Sequence, residues 1–395
     1  MEEKKKILFV MSNLNCGGAE KSLISLLQTI DYNCYEVDLQ LFENTGLFLN
    51  QVPSQVTILE DFPYYKLYDM PLLKAIKIAL LKLKIQTIWN RLMAGYIFKT
   101  KEITKKEQSV WKYLKKDIPA ASKTYDVAVG FLEKSPIYYV VDKVIAKKKI
   151  GFVHNDYEQL GMDVTVDQQY FPKLDFIVTD SQECCNVLVR NFPELNSKFR
   201  IIFNIVSEKL INSLAHEPIL ENFDNRFKIV SIGRFEKQKG YDIGIEAMRL
   251  IKEKGYNFQW IILGEGTEKQ RIIEKVAEYD LKNHVYFLGI KENHYPYLKM
   301  ADVFMQTSRF EGKSIAIDEA KILAKPILVT NFSTVNDQIE DGITGSIADM
   351  NFQDVCQKLI QLIEMPALRV SLSKNLASQS YGTEREIEKI YRLFE

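Results

Sequence analysis

Residues 227–240 read FKIVSIGRFEKQKG, and this stretch decides how the second half of the chain folds. Apolar residues, several of them β-branched, fill most of its first six positions, as is typical of a buried strand. Glycines and charged residues follow, and a helical pattern begins at Tyr241. A strand, a glycine-bearing loop and a helix in that order predict one unit of a parallel sheet covered by helices.

The same alternation runs along both halves of the chain. In the first half we predict strands at Lys6–Met11, Glu36–Phe42, Val56–Leu59, Asp126–Gly130, Lys149–Val153, Phe176–Thr179 and Phe199–Phe203. In the second half we predict strands at Phe227–Ile232, Gln259–Leu263, Val285–Leu288, Val303–Gln306 and Pro326–Thr330. Helical patterns separate the strands, and we predict helices throughout residues 351–395. The chain therefore belongs to the α/β class, with two parallel sheets expected.

The boundary between the two series lies near residue 206. The segment 207–226 is polar and contains Pro218, which favours a connector. A chain of 395 residues suits two domains of this kind, which we place at 1–206 and 207–395. Ligands are expected at the carboxyl ends of the strands, where open α/β sheets bind them.

Composition narrows the classes of function. The net charge is zero, whereas proteins that bind nucleic acid usually carry a basic excess. Five cysteines show no CxxC spacing, which favours a reducing compartment. The apolar run Ile7–Met11 is too short for a secretory signal, and no run approaches the roughly 20 apolar residues that span a bilayer. We therefore expect a cytoplasmic protein without nucleic acid as a partner.

One segment departs from this balance. Residues 66–116 contain 13 Lys or Arg and three acidic residues, a net charge of +10. Within it, residues 71–93 alternate Leu and Ile with Lys at helical spacing, and aromatic residues follow. This pattern favours a basic amphipathic insertion that contacts an anionic membrane or a lipid-linked substrate. The alternative is a solvated helical insertion that covers one face of the sheet.

Three loops carry residues suited to binding a phosphorylated ligand. Gly17 and Gly18 open a helix after the first strand, where backbone N–H groups favour an anion, although a tight turn also requires glycine. Arg234 and Lys239 lie beside the glycines of a second loop and suit a diphosphate, with a solvated basic loop as the alternative. The loop that follows residue 306 contains Glu311, which we expect to bind hydroxyl groups of a ligand.

The same loop opens a helix. The N–H groups of Gly312, Lys313 and Ser314 begin that helix, and Glu319 lies about two turns farther along it. Carboxylates bind vicinal hydroxyl groups well. Glu311 and Glu319 are therefore candidates to bind a sugar at one point and a ribose at the other, while the start of the helix binds the phosphates that join these two groups.

These motifs make the chain resemble the family 4 glycosyltransferases of the GT-B fold. The Gly-Gly-Ala-Glu loop, the Gly-Arg-Phe…Lys-Gly loop, the Gly264-Glu265-Gly266 turn and the Glu-x7-Glu segment occur in the family's order over nearly the whole chain. The resemblance implies two Rossmann-like domains whose sheets face a central cleft. It also implies that the C-terminal helices pack back toward the N-terminal, acceptor-binding domain.

The resemblance also implies a role for each residue. Arg234 and Lys239 would hold the donor diphosphate, Glu319 the ribose, and Glu311 the transferred sugar. Further donor contacts would come from Gly17, Gly18, Gly264, Ile290, Gly312, Lys313 and Ser314. His154 matches a histidine near the sugar, so its expected role is catalytic, together with Glu311, Arg234 and Lys239; a structural histidine at a strand end is the alternative.

The activity implied is retaining, metal-independent transfer of a hexose from a nucleotide sugar, by default a UDP-sugar, to a saccharide acceptor. The basic insertion favours a lipid-linked acceptor, surface polysaccharide synthesis and peripheral attachment to the inner face of the cell membrane. We expect no cofactor, because the four histidines lack metal-ligand spacing and no Asp-x-Asp triplet occurs. Two alternatives are a nucleotide-sugar epimerase or hydrolase on the same fold and a non-catalytic partner subunit.

Overall fold

The computed structural model describes residues 3–15, 17–62, 64–81, 84–100 and 103–395. These residues form two compact units. The first unit contains Ala19–Phe203 with the N-terminal strand and Arg385–Glu395, and the second contains Asn204–Glu384 with Gly17 and Gly18. The chain thus passes from one unit to the next close to residue 206, but its last residues, which we placed in the domain 207–395, group with the first unit.

Each unit is built on one parallel sheet. The first sheet contains β1 (Lys5–Met11), β2 (Tyr35–Leu41), β3 (Thr57–Ile58), β4 (Thr124–Gly130), β5 (Ile145–Val153), β6 (Phe176–Thr179) and β7 (Phe199–Ile201). The second contains β8 (Phe227–Ile232), β9 (Phe258–Leu263), β10 (Val285–Gly289), β11 (Val303–Gln306), β12 (Ile327–Thr330) and β13 (Ser346–Ala348). The strand orders are β3-β2-β1-β4-β5-β6-β7 and β10-β9-β8-β11-β12-β13.

In both sheets the first strand in the sequence lies inside the sheet, and the order reverses beside it. This is the topology of a Rossmann-like unit, in which the reversal opens a crevice at the carboxyl ends of the strands. The predicted GT-B fold class is confirmed. The short strand β13 was not predicted, because it has three residues and follows a run of polar and glycine residues.

Helices connect the strands. They are α1 (Gly18–Thr29), α2 (Lys66–Asp69), α3 (Leu72–Leu81), α4 (Ile85–Thr100), α5 (Ile103–Leu114), α6 (Ser135–Lys143), α7 (Val164–Asp167), α8 (Gln182–Asn191), α9 (Glu208–Leu214), α10 (Tyr241–Glu253), α11 (Lys269–Glu278), α12 (Tyr295–Met300), α13 (Ile315–Ile322), α14 (Phe352–Glu364), α15 (Pro366–Ala377) and α16 (Glu386–Phe394). In the described ranges, no helix is long and apolar enough to cross a membrane.

The last helix, α16, completes the core of the first unit. The ring of Phe394 lies 6.4 Å from that of Phe9 and 5.6 Å from that of Tyr35. Lys5 Nζ also donates a hydrogen bond to the Phe394 carbonyl oxygen at 3.3 Å. The apolar face of α16 therefore covers β1 and β2, as the resemblance implied for the C-terminal helices. Helices α14 and α15 remain in the second unit.

The basic insertion contains α2 to α5, and α5 belongs to the core. Trp111 is 1% exposed, and its Nε1 donates to Asp142 Oδ2 at 3.0 Å. Gln108 Nε2 donates to Asp167 Oδ2 at 2.8 Å. Because α5 is anchored in this way, it covers the sheet, as the alternative interpretation of the insertion expected. The exposed apolar residues of the insertion lie on α3 and α4.

Asp167 is a buried carboxyl group at the end of α7. Tyr138 and Tyr157 donate hydrogen bonds to its two oxygens at 2.5 and 2.6 Å. Burial raises the pKa of Asp167 to about 6, although the two tyrosine hydrogen bonds act in the opposite direction. The group is therefore easier to protonate in the folded chain than in the unfolded chain.

We expect Asp167 to make the first unit more stable in mild acid. A group whose pKa is raised by folding contributes stability below its unfolded pKa, about 4, and loses it as the pH rises through about 6. Relative to Asp167→Asn, the wild type should lose about 2–3 kcal/mol of unfolding free energy between pH 4 and 7. Thermal melting of both proteins across this range measures the difference. A difference that does not change with pH would contradict the assignment.

Candidate functional site

The candidate site lies at the carboxyl edge of the second sheet. The loops after β8, β9, β10, β11 and β12 all leave the sheet at this edge, because the strands are parallel. They carry Arg234, Lys239, Gly264, Ile290, Glu311, Gly312, Lys313 and Ser314, and α13 adds Glu319. The tertiary structure thus brings the predicted donor-binding residues of the second half to one edge.

Two glycines allow these loops to pack backbone against backbone. Gly240 has a φ of +60°, and a Cβ atom on it would lie 2.0 Å from the Thr307 carbonyl oxygen. Gly264 has a φ of +150°, and a Cβ there would lie 2.0 Å from the Gly233 carbonyl oxygen. Since no side chain fits at either place, the loops after β8, β9 and β11 approach one another only because these residues are glycine.

Glu311 is fixed at the centre of the site. Its Oε1 accepts hydrogen bonds from Ser308 Oγ at 2.5 Å, Lys239 Nζ at 2.7 Å and Gln306 Nε2 at 3.1 Å. The hydroxyl of Thr334 donates a hydrogen bond to the backbone carbonyl oxygen of Glu311 at 3.1 Å. Three donors on one oxygen hold an ionised carboxylate in a single orientation. The residue predicted to contact the sugar is therefore held rigidly before any ligand binds.

The two predicted diphosphate-binding cations lie in different surroundings. Lys239 forms an ion pair with Glu311, and the two side chains are only 17% and 8% exposed. Arg234 is exposed, and its guanidinium makes no hydrogen bond or ion pair with any residue that the structure describes. Arg234 is thus available to a ligand, whereas Lys239 already neutralises a carboxylate.

Side chains of neighbouring segments hold the start of α13 in place. Gln338 Oε1 accepts the Ser314 N–H at 2.8 Å, and Gln338 Nε2 donates to Asp318 Oδ1 at 2.9 Å. The Ser314 hydroxyl donates to Gln306 Oε1 at 2.8 Å. Lys313 forms a buried ion pair with Asp318. The side chains of Lys313 and Ser314 therefore support the loop, and the Lys313 ammonium points to Asp318.

Sequence reasoning missed Gln306, Gln338 and Asp318. Gln306 gave a local signal, since it is a polar residue at the end of an apolar strand. Gln338 gave none, because it is 24 residues from Ser314 and only the return of the chain through β12 brings it there.

Glu319 is almost fully buried in α13. Its Oε2 lies 2.8 Å from His294 Nε2, and its Oε1 lies 3.4 Å from the hydroxyl of Tyr295. Both partners follow the loop that contains Ile290, which is 38% exposed. The two residues predicted to meet ribose and base are therefore linked through this loop.

His154 lies in the first unit, at the end of β5. The Glu133 carboxylate accepts a hydrogen bond from the His154 backbone N–H at 3.1 Å. The Asp180 carboxylate lies 3.6 Å from Nδ1 of the His154 ring. Burial alone would lower the pKa of His154, but Asp180, Glu133 and the Phe131 backbone together outweigh burial, so the pKa is raised. Its Nε2 is buried and makes no hydrogen bond with the described residues. Gly17 and Gly18 lie at the start of α1.

The chain is similar to known glycosyltransferases. Residues 214–379 match the family model of glycosyl transferases group 1. An uncharacterized glycosyltransferase of Methanocaldococcus jannaschii is 32% identical over 171 residues, which span 42% of each chain. The N-acetylgalactosamine-N,N'-diacetylbacillosaminyl-diphospho-undecaprenol 4-alpha-N-acetylgalactosaminyltransferase of Campylobacter jejuni is 24% identical over 92% of each chain.

A solved structure agrees in fold. The crystal structure of Anabaena HepE in complex with UDP-glucose is 16% identical, with a TM-score of 0.69 over 98% of both chains. At this identity the likeness extends to the fold alone.

We expect Gly240→Ala to destabilise the second unit by about 3 kcal/mol, because it combines a left-handed backbone with a clash against Thr307. Gly255→Ala is the matched control, since Gly255 has a φ of +86° but no atom within 4 Å of its Cβ position. That variant should lose only about 1 kcal/mol. Urea denaturation measures both values. Equal losses would show that the backbone approach at Gly240 does not matter.

Proposed function

We propose that this chain is a retaining glycosyltransferase that moves a hexose from a UDP-sugar to a lipid-linked saccharide during surface polysaccharide synthesis. The observation that carries the proposal is the fixed Glu311 carboxylate beside Lys239, at the carboxyl edge of a Rossmann-like sheet. Residues 214–379, which match the glycosyl transferases group 1 model, include this constellation.

Each group has a task in binding the donor. Glu311 uses one N–H of the Lys239 ammonium, which has three, so Lys239 can hold a phosphate oxygen at the same time. Arg234 adds a planar guanidinium that suits two-point contact with phosphate. Glu319 would accept hydrogen bonds from ribose hydroxyls, and Glu311 from hydroxyls of the sugar.

In the proposed reaction an acceptor hydroxyl forms a bond to the anomeric carbon while the bond from that carbon to the diphosphate oxygen breaks. Both events occur on the same face of the sugar, so the configuration is retained. The departing diphosphate takes the acceptor's proton, and Lys239 and Arg234 stabilise its charge. These side chains supply the positive charge, and the proposal includes no metal ion or other cofactor.

Two comparisons support the choice of substrates. The name of the Campylobacter jejuni relative specifies a saccharide on diphospho-undecaprenol, which supports a lipid-linked acceptor. The Anabaena structure contains UDP-glucose, which supports a UDP-sugar donor.

The test is calorimetric titration of UDP and UDP-sugars into the wild type, Arg234→Ala and Glu319→Ala. We expect each variant to lose at least tenfold in affinity for UDP, because each lacks a charged hydrogen-bonding partner of the ligand. Lys237→Ala is the matched control, since Lys237 is an exposed cation of the same loop and should bind as the wild type does. A wild type that binds no nucleotide would contradict the proposal.

We also propose that the insertion 66–116 attaches the protein to the inner face of the cell membrane. Helix α4 supports this proposal, because three of its polar residues are buried while a row of its apolar and aromatic residues is exposed. Asn90 is 0% exposed, whereas Ile85 is 77% and Trp89 57% exposed. Leu92 and Tyr96 continue this exposed row at helical spacing.

A polar network holds α4 in this orientation. Asp117 accepts hydrogen bonds from Tyr68, Thr87 and Asn90 at 2.6, 2.8 and 3.1 Å. The Arg91 guanidinium donates to the carbonyl oxygens of residues 67 and 70 at 2.8 and 2.7 Å. The exposed apolar row is therefore part of a fixed structure.

The positive charge around the exposed apolar residues of α3 and α4 favours an anionic membrane as their binding partner. Exposed Leu73, Leu80 and Leu81 of α3 lie near exposed Lys74, Lys77 and Lys84 in the sequence. Pairing two copies of the chain would bring like charges together, whereas an anionic lipid surface neutralises them while burying the apolar residues.

Flotation with vesicles tests the attachment. We expect the wild type to float with vesicles of phosphatidylglycerol and phosphatidylcholine and to float less with phosphatidylcholine alone or at high salt. Leu81→Ser with Trp89→Ser should weaken binding at least tenfold, because two exposed apolar groups are lost. Leu220→Ser with Val370→Ser is the control, since both residues are exposed outside the insertion. Equal flotation of the two double variants would contradict attachment of the protein to the membrane through the insertion.

A further inference from the structure

His294 links two parts of the candidate site. It directly precedes α12, and its Nε2 lies 2.8 Å from Glu319 Oε2 in α13. The two side chains are 13% and 2% exposed. The carboxylate predicted to bind ribose is therefore held by a residue of the loop predicted to meet the base.

The loop itself has other anchors. Asn293 Nδ2 donates to the Leu214 carbonyl oxygen at 2.9 Å and to Glu217 Oε2 at 2.7 Å. Lys291 pairs with Glu221 at 2.5 Å. Because these contacts attach the loop to the segment after residue 206, the bond from His294 acts mainly on Glu319.

The hydrogen bond from His294 stabilises the buried charge of Glu319 and fixes the orientation of its carboxyl group. A carboxylate this deeply buried requires a hydrogen-bonding partner, and a donor on Oε2 fixes the rotation of the carboxyl group. Each carboxylate oxygen accepts more than one hydrogen bond, so the bond from His294 does not exclude a hydrogen bond from a hydroxyl group of a ligand.

We infer that His294 is a positioning residue that holds Glu319 in the orientation in which it accepts hydrogen bonds from the ribose of the donor nucleotide. This inference rests on the proposed function and adds a determinant of nucleotide specificity to it. His294 acts through Glu319, and the protein's preference for ribose over 2′-deoxyribose depends on it.

The experiment is calorimetric titration of UDP and 2′-deoxyuridine 5′-diphosphate into the wild type, His294→Ala and His294→Gln. The glutamine amide offers an N–H donor at a reach similar to that of Nε2. We expect His294→Ala to lose about tenfold in affinity for UDP but only about threefold for the deoxy analogue, and His294→Gln to restore most of the difference. A merely structural role would lower both affinities equally.

His216→Ala is the control, because His216 is an exposed histidine of the same unit whose ring contacts only the nearby Asn212 carbonyl oxygen of α9 among the hydrogen bonds that the structure describes. Equal losses for the two diphosphates, or no loss, would overturn the inference while UDP binding by the wild type upholds the proposed function. If the wild type binds neither diphosphate, the result contradicts both the inference about His294 and the proposed function. If His294→Ala does not fold, His294→Asn, whose amide is too short to reach Glu319, takes its place.

Discussion

The ion pair between Lys239 and Glu311 is the interaction on which the candidate site depends. It joins the loop after β8 to the loop after β11, and the two side chains are largely buried. A buried charge that loses its partner costs about 3–5 kcal/mol, so neither loop can move away without a large penalty. Gln306 and Ser308 add two donors to the same carboxylate oxygen. The geometry of the site is thus set before a ligand arrives.

Such preorganisation suits chemistry in which the protein supplies no nucleophile. Where catalysis relies on position and charge, groups that are already oriented need not reorganise as the reaction proceeds. The second layer of contacts serves the same end. Gln338 holds the start of α13 through Ser314 and Asp318. Lys239 holds Glu311 and His294 holds Glu319, so each acidic residue of the Glu-x7-Glu segment is supported by a side chain from another loop.

Helix α4 of the insertion shows a distribution of polarity opposite to that of an ordinary surface helix. Burying Asn90 and Arg91 while exposing Ile85 and Trp89 is unfavourable for a helix that faces water on its outer side. The buried polar groups avoid a desolvation penalty because Asp117 and backbone carbonyl groups accept their hydrogen bonds. An apolar environment on the outside would turn the same arrangement into a favourable one.

The sequence by itself determined the α/β class, the two parallel sheets and nearly all of the strands, because alternation of apolar runs with helical patterns is a local property. It also indicated Arg234, Lys239 and Glu311, since each lies beside a glycine of a loop that can be identified without coordinates, and Glu319 through its spacing of eight residues from Glu311. Composition predicted a basic insertion, but it could not separate the core helix α5 from the exposed face of α3 and α4.

Only the tertiary structure decided which of these residues touch. Lys239 and Glu311 are 72 residues apart, and the strand order places them side by side. Gln338 and His294 carry no local signal, because their roles depend on the return of distant loops to one edge of the sheet. Spacing in the sequence reports what a helix or strand presents along its own length. Contacts between loops depend on how the strands are ordered, and only the folded chain contains that information.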